Sequence, residues 1–160
     1  MQQRTFEEVR ESLRGKVILV ANRGIPARRI SRSIRERFEA IAAITATDID
    51  KTEPAAASAQ ELILLGADPR AYLDLPRIIR LARERGCVAI HPGWGFASED
   101  NNFPKLCAEA GITFIGATAE AMHLLGNKVE ARRVARSLGI PVVPGSDESV
   151  RRSGRAKDRS

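Results

Sequence analysis

Aromatic residues, cysteine and histidine are scarce in this chain, and each scarcity closes off a class of function. Among its 160 residues are five phenylalanines, one tyrosine, one tryptophan, two cysteines and two histidines. Cys87 and Cys107 have no CxxC spacing and no histidine cluster beside them. That pattern excludes a zinc site and a disulfide framework, and both thiols are expected as small buried hydrophobes. No apolar run approaches the ~20 residues of a membrane span, and Met1 to Arg14 lack the apolar centre of a signal peptide. The expected compartment is therefore a reducing cytoplasm, with no membrane partner. Basic residues are not interleaved with aromatics, so no nucleic-acid partner is expected either. The formal net charge of +6 is concentrated in residues 151–160, which carry +4 and leave the rest nearly balanced.

What the chain does have is a regular alternation of short apolar runs and amphipathic stretches. Val17-Ile18-Leu19-Val20-Ala21 is continuous and rich in β-branched residues, the pattern of a central parallel strand covered on both faces, and Asn22-Arg23-Gly24 stops it. Ile41-Ala42-Ala43-Ile44, Leu62-Ile63-Leu64-Leu65, Cys87-Val88-Ala89-Ile90 and Ile112-Thr113-Phe114-Ile115-Gly116 repeat the signal. Between the first two runs, Ala27, Ile30, Ile34 and Phe38 form one stripe of a helix with Pro26 in its first turn, and Arg28, Arg29, Arg32, Arg35, Glu36 and Arg37 cover the rest. Short helices are expected over Pro54 to Gln60 and Pro104 to Ala110. A longer one runs from the N-cap Asp74 to Gly86. Residues 1–15 form a polar lead-in with a weak helical pattern at Phe6, Val9 and Leu13. The order β-α-β-α-β-α-β-α-β predicts an α/β fold, an open and mostly parallel sheet with helices on both faces. Thr118 then caps a helix over 119–125, and Gly126-Asn127-Lys128 opens another that ends at Gly139. Residues 147–160, charged and poor in apolar side chains, are expected to be a disordered basic tail.

The first βα turn carries Gly24 alone. The absent G-x-G-x-x-G rules out a dinucleotide fold, even though Asp48 and Asp50 follow the second strand where a ribose-binding acid would stand. The candidate ligand loop is instead His91-Pro92-Gly93-Trp94-Gly95-Phe96. Its glycines allow a close approach of backbone, and Trp94 supplies one large amphipathic face. Taken alone, the pattern admits two readings: a binding loop, or a tight turn whose Trp94 plugs the core.

Five segments together resemble the N-terminal part of biotin carboxylase. They are Lys16-Val17-Ile18-Leu19-Val20-Ala21-Asn22-Arg23-Gly24, His91 to Asn101, Gly111-Ile112-Thr113-Phe114-Ile115-Gly116, Gly126-Asn127-Lys128-Val129 and Gly139-Ile140-Pro141-Val142-Val143-Pro144-Gly145-Ser146. They stand in the family's order and spacing over Lys16 to Ser146. The resemblance implies a Rossmann-like pre-ATP-grasp domain over residues 16–126, with linker helices and the start of an ATP-grasp region over 127–146. It also implies a reaction that uses ATP, magnesium and bicarbonate to carboxylate biotin on a partner carrier domain. Carried over by position, Trp94 and Gly95 would line the biotin pocket and Lys128 would reach the nucleotide phosphates. Arg32 and Glu36 would take part in a dimer contact seen in bacterial members.

Two departures accompany the match. Gly24-Ile25-Pro26-Ala27 stands where many relatives have Gly-Glu-Ile-Ala, so a carboxylate is missing from that turn. The family's catalytic and metal-binding residues fall beyond residue 160, so no catalytic or metal ligand can be assigned, and ATP, magnesium and biotin are not expected to bind tightly to this chain alone. The expectation is thus an inactive fragment of a carboxylase that partners the carrier and the remaining domains, with a homodimer as one of its expected states. The alternatives are a non-catalytic assembly module paired with a separate ATP-grasp chain, or the front of another ATP-grasp ligase such as a carbamoyl-phosphate synthase.

Overall fold

A computed structural model describes residues 4–144, so the expected tail over 147–160 lies outside the described residues, as do Gly145 and Ser146. The described residues contain five strands: β1 (Val17–Val20), β2 (Ile41–Ala46), β3 (Glu61–Leu64), β4 (Cys87–His91) and β5 (Thr113–Phe114). All pair in parallel, in the order β3-β2-β1-β4-β5. The helices are α1 (Phe6–Leu13), α2 (Gly24–Phe38), α3 (Pro54–Ala57), α4 (Leu75–Glu84), α5 (Asn102–Glu109), α6 (Ala119–Gly126) and α7 (Lys128–Ser137). The chain divides into two compact units, residues 1–122 and 123–160. The whole sheet belongs to the first, and α7 to the second.

Period-two alternation along β1 separates two cores. Ile18 and Val20 join Ala42, Ile44, Ala27 and Ile34 on the side of α2 and α3. Leu19 and Ala21 join Ile63, Ile78, Ile90, Phe103 and Cys107 on the side of α4 and α5. A central strand must be apolar on both faces because helices cover both, which is why its sequence shows a continuous run instead of alternation. Both cysteines are free and buried, and burial pushes their thiols up, to about 11 at Cys87 and about 12 at Cys107.

The lead-in holds a real helix. Thr5 Oγ1 accepts from the Glu8 N–H and the Glu8 carboxylate accepts from the Thr5 N–H, a reciprocal cap, and Phe6 packs on Phe38 of α2 with ring centroids 5.5 Å apart. Helix α2 begins at Gly24, earlier than its apolar stripe suggests, because Gly24, Ile25 and Pro26 occupy a first turn whose N–H groups have no intrahelical partner and so tolerate proline. Strand β5 is shorter than the five-residue run that predicted it. It pairs only through Thr113 and Phe114, plus the Ile115 N–H to Ile90 C=O bond, because β4 ends at His91 and Pro92 follows. As expected, Asp74 caps α4 through the Arg77 N–H. No helix among the described residues is long and apolar enough to cross a membrane.

Candidate functional site

The strand order places a topological switch between β1 and β4. From β1 the chain moves outward to β2 and β3, then returns to β1's other side as β4. Turns leaving the carboxyl ends of β1 and β4 must diverge there, and the crevice between them is where open α/β sheets bind ligands. In this chain the two turns are Asn22-Arg23-Gly24 and the loop His91 to Phe96.

One side chain ties them together. Asn22, 1% exposed, donates from Nδ2 to the carbonyl oxygens of Pro92 at 2.7 Å and Trp94 at 3.0 Å, while its Oδ1 accepts from the Arg23 N–H at 2.9 Å. The carboxamide thus satisfies two carbonyls of one turn and an amide of the other, which neither turn could do alone. The close approach explains Gly93. It sits at φ +69°, and a Cβ added there would lie 2.6 Å from Asn22 Nδ2. Gly93 also donates its N–H to His91 Nδ1 at 3.0 Å. That bond requires an unprotonated Nδ1, and burial itself holds the imidazole below its ordinary value, so His91 is a neutral acceptor.

With its backbone held, the Trp94 indole is 71% exposed. Trp94 does not plug the core. Its loop borders a cleft of about 660 Å³ whose walls include His91, Gly95, Ser98, Glu99, Phe114 and Met122. A second groove of about 700 Å³ lies on the α2 side, floored by Ile18, Ile30, Ile34, Val88 and Ile115. That groove is more apolar, but only the cleft at the strand ends combines an exposed aromatic face with a histidine, a hydroxyl and a carboxylate.

The structure also assembles a polar network that the sequence reading passed over. Asp50, 3% exposed, sits in the turn after β2. Its carboxylate accepts from Thr47 Oγ1 at 2.6 Å, Tyr72 OH at 2.8 Å and Arg23 Nη1 at 2.8 Å. Burial works against charge at Asp50, but the bonds from Thr47, Arg23 and Tyr72 outweigh it, and the carboxyl stays below its usual range. Burial, reinforced by the Asp50 carboxylate, pushes the Tyr72 phenol up. The Arg23 guanidinium lies 5.8 Å from the Tyr72 ring centroid and 5.5 Å from that of Phe96, and the two rings are 4.9 Å apart. The signal that could have found this network was an acid just past a strand's end, together with the arginine of the first βα turn.

The remaining sequence candidates fall elsewhere. Gly95 follows Trp94 in the exposed loop, at φ +69°. Arg32 and Glu36 are exposed on α2 and paired with each other, Nε lying 2.9 and 3.0 Å from the two carboxylate oxygens. Lys128 is exposed at the start of α7, whose first N–H groups are capped by Asn127 Oδ1. It belongs to the second unit. Among the described residues no group of three or more His, Cys, Asp or Glu side chains could hold a metal ion.

Comparison with known proteins gives a consistent result. The family described as biotin carboxylase, N-terminal domain, matches residues 14–122. Biotin carboxylase of Nostoc sp. is 42% identical over 135 residues, covering 83% of this chain and 30% of that protein. Mitochondrial pyruvate carboxylase of Mus musculus is 41% identical over 137 residues, covering 84% of this chain and 12% of that protein. Among solved structures, the biotin carboxylase domain dimer of Hydrogenobacter thermophilus 2-oxoglutarate carboxylase, in complex with MgADP, ADP and bicarbonate, superposes with a TM-score of 0.79 at 41% identity. The match covers 82% of this chain and 29% of that one. The chain therefore spans less than a third of the length of these relatives.

Two outcomes follow from the geometry. Trp94→Ala is expected to lower the unfolding free energy by less than about 1 kcal/mol, because little of the indole is buried; a loss of 3 kcal/mol or more in urea denaturation, the cost of an aromatic truncated in a core, would contradict the open position. Asp50→Asn is expected to cost about 1–3 kcal/mol at pH 7 by removing a charged acceptor from three donors. A carboxyl depressed in the folded state stabilises above its unfolded value and stops doing so as pH falls through the folded value, so the gap between parent and variant should begin to narrow near pH 3.8 and go on narrowing below it. Melts from pH 7 to pH 3 measure it.

Proposed function

Since the chain belongs to the biotin carboxylase N-terminal domain family, we propose that its loop of residues 91–96 forms the wall of a carboxylase site that receives the biotin ring. The observation that carries this reading is Trp94, an exposed aromatic face on a loop whose backbone is fixed by Asn22 at the sheet's switch point. A ring carried on a held backbone offers stacking area at a reduced ordering cost at binding. Gly95 beside it adds no side chain to obstruct approach.

The remaining roles divide by fit. In this reading Lys128 meets the phosphates of ATP, an extended cation at a helix start, with residues 127–146 opening the ATP-grasp region. ATP, when bound, supplies the phosphoryl group that activates bicarbonate; the described residues supply binding surface. Magnesium does not fit the described residues, which present no carboxylate cluster, and no step is assigned to it here. The biotin carrier and the other carboxylase domains are the partners this reading requires. Arg32 and Glu36, exposed on an arginine-rich helix, are the proposed contact of a homodimer, where they would exchange their internal pair for partners across the interface.

A chimera tests the reading: residues 14–144 replace the matching segment of the Hydrogenobacter thermophilus relative. The folded chimera is expected to hydrolyse ATP in a biotin- and bicarbonate-dependent way, and the 160-residue chain alone is not. In the chimera Trp94→Ala should lower kcat/KM for free biotin about tenfold, the equivalent of ~1.4 kcal/mol of ring stacking, with little change in KM for ATP, and Lys128→Ala should do the reverse. A folded, active chimera indifferent to Trp94→Ala would remove the loop from the biotin site.

A further inference from the structure

We propose that Arg23, Asp50 and Tyr72 are positioning residues that fix the presentation of Trp94 by clamping Phe96, two residues further along the loop. The loop is held at two places. Asn22 grips its first half through the Pro92 and Trp94 carbonyls. Nothing in that grip constrains the half after Trp94, where Gly95 takes φ +69° and Phe96, a residue with a Cβ, takes φ +48°. A left-handed phenylalanine is costly unless its surroundings hold it there. Its surroundings here form a pad, with the Tyr72 ring at 4.9 Å and tilted by 33°, and the Arg23 guanidinium at 5.5 Å.

The pad is rigid for a stated reason. Tyr72 is buried, with its hydroxyl donating to Asp50 and accepting from the Thr47 N–H. Asp50 is buried and saturated by three donors, one of them Arg23. Arg23 is the hinge of the arrangement: its side chain is 47% exposed, yet it is oriented by the carboxylate on one side and the two rings on the other. Arg23 completes the donor set that lets Asp50 stay charged while buried, but that role gives only a partial account of a guanidinium that also lies over Phe96. Holding two loops in register gives a stronger one. The clamp joins the ends of β1 and β2 to the loop leaving β4, on the side of Trp94 that Asn22 does not reach.

The proposal rests on the biotin reading only in naming what Trp94 meets, and its first test needs no ligand. Trp94 is the sole tryptophan, so its fluorescence anisotropy and acrylamide quenching report the loop directly in the 160-residue chain. Arg23→Gln and Phe96→Leu are expected to keep a cooperative circular-dichroism melt while lowering Trp94 anisotropy and raising its quenching constant about 1.5-fold. Arg80→Gln, at an exposed pair on α4, is the control and should change neither. If Arg23→Gln does not fold, Phe96→Leu, at a partly exposed side chain, decides alone. Folded variants with parental anisotropy and quenching would overturn the proposal. In the chimera, a positioning role raises KM for biotin about three- to tenfold with KM for ATP unchanged. Loss of both in parallel would make the network a general structural feature and overturn the proposal. A loosened Trp94 in the free chain, beside a chimera whose Trp94→Ala variant is indifferent to biotin, would uphold the clamp while rejecting the biotin reading.

Discussion

The structure around the site depends on one buried carboxamide. A parallel sheet that reverses its strand order leaves two turns facing each other across a gap, with backbone carbonyls that no strand can satisfy. Asn22 fills that gap with one group able to donate twice and accept once. Neither an aspartate nor a hydrophobe of the same size has that combination. Gly93 follows from it, since any larger residue would strike Asn22. So does the exposure of Trp94: a loop whose carbonyls are held from beneath has no need to bury its indole for stability.

A second constraint acts through charge. Asp50 is the one carboxylate buried among the described residues, and such a group is tolerated only where its hydrogen bonds are complete. Three donors meet that condition and bring the ends of β1 and β2 together with the chain preceding α4. Several exposed pairs differ in kind. Arg32 with Glu36, Arg80 with Glu84 and Arg133 with Glu130 each join neighbours on a single helix, where solvent screens them and they decide no tertiary geometry.

Much of this architecture was legible from residues alone. Val17 to Ala21 announced a strand covered on both sides, Asp74 and Gly86 bracketed α4, and the glycines around Trp94 marked the turn that leaves β4. What stayed hidden was long-range. Asn22 looked like a strand stop because its partners are seventy and seventy-two positions away, and no local pattern encodes such a distance. Asp50 read only as an acid after the second strand, because its donors Arg23 and Tyr72 lie twenty-seven and twenty-two positions away. Whether Trp94 was buried could not be read from its neighbours, as the same glycine-flanked aromatic serves a plug or a platform. The early start of α2 and the brevity of β5 were missed for a local reason: proline in a first turn and a truncated neighbouring strand move boundaries that apolar patterns do not mark.

The most direct measurement is the unfolding free energy of Asn22→Asp at pH 7, followed in urea by both circular dichroism and Trp94 fluorescence. The substitution preserves shape and replaces two donated hydrogen bonds with a buried carboxylate facing two carbonyl oxygens. If this side chain joins the two turns, the loss should exceed about 3 kcal/mol, with Trp94 emission already departing from the parent's before the main transition. A variant within about 0.5 kcal/mol of the parent, with coincident transitions and parental Trp94 emission, would contradict it.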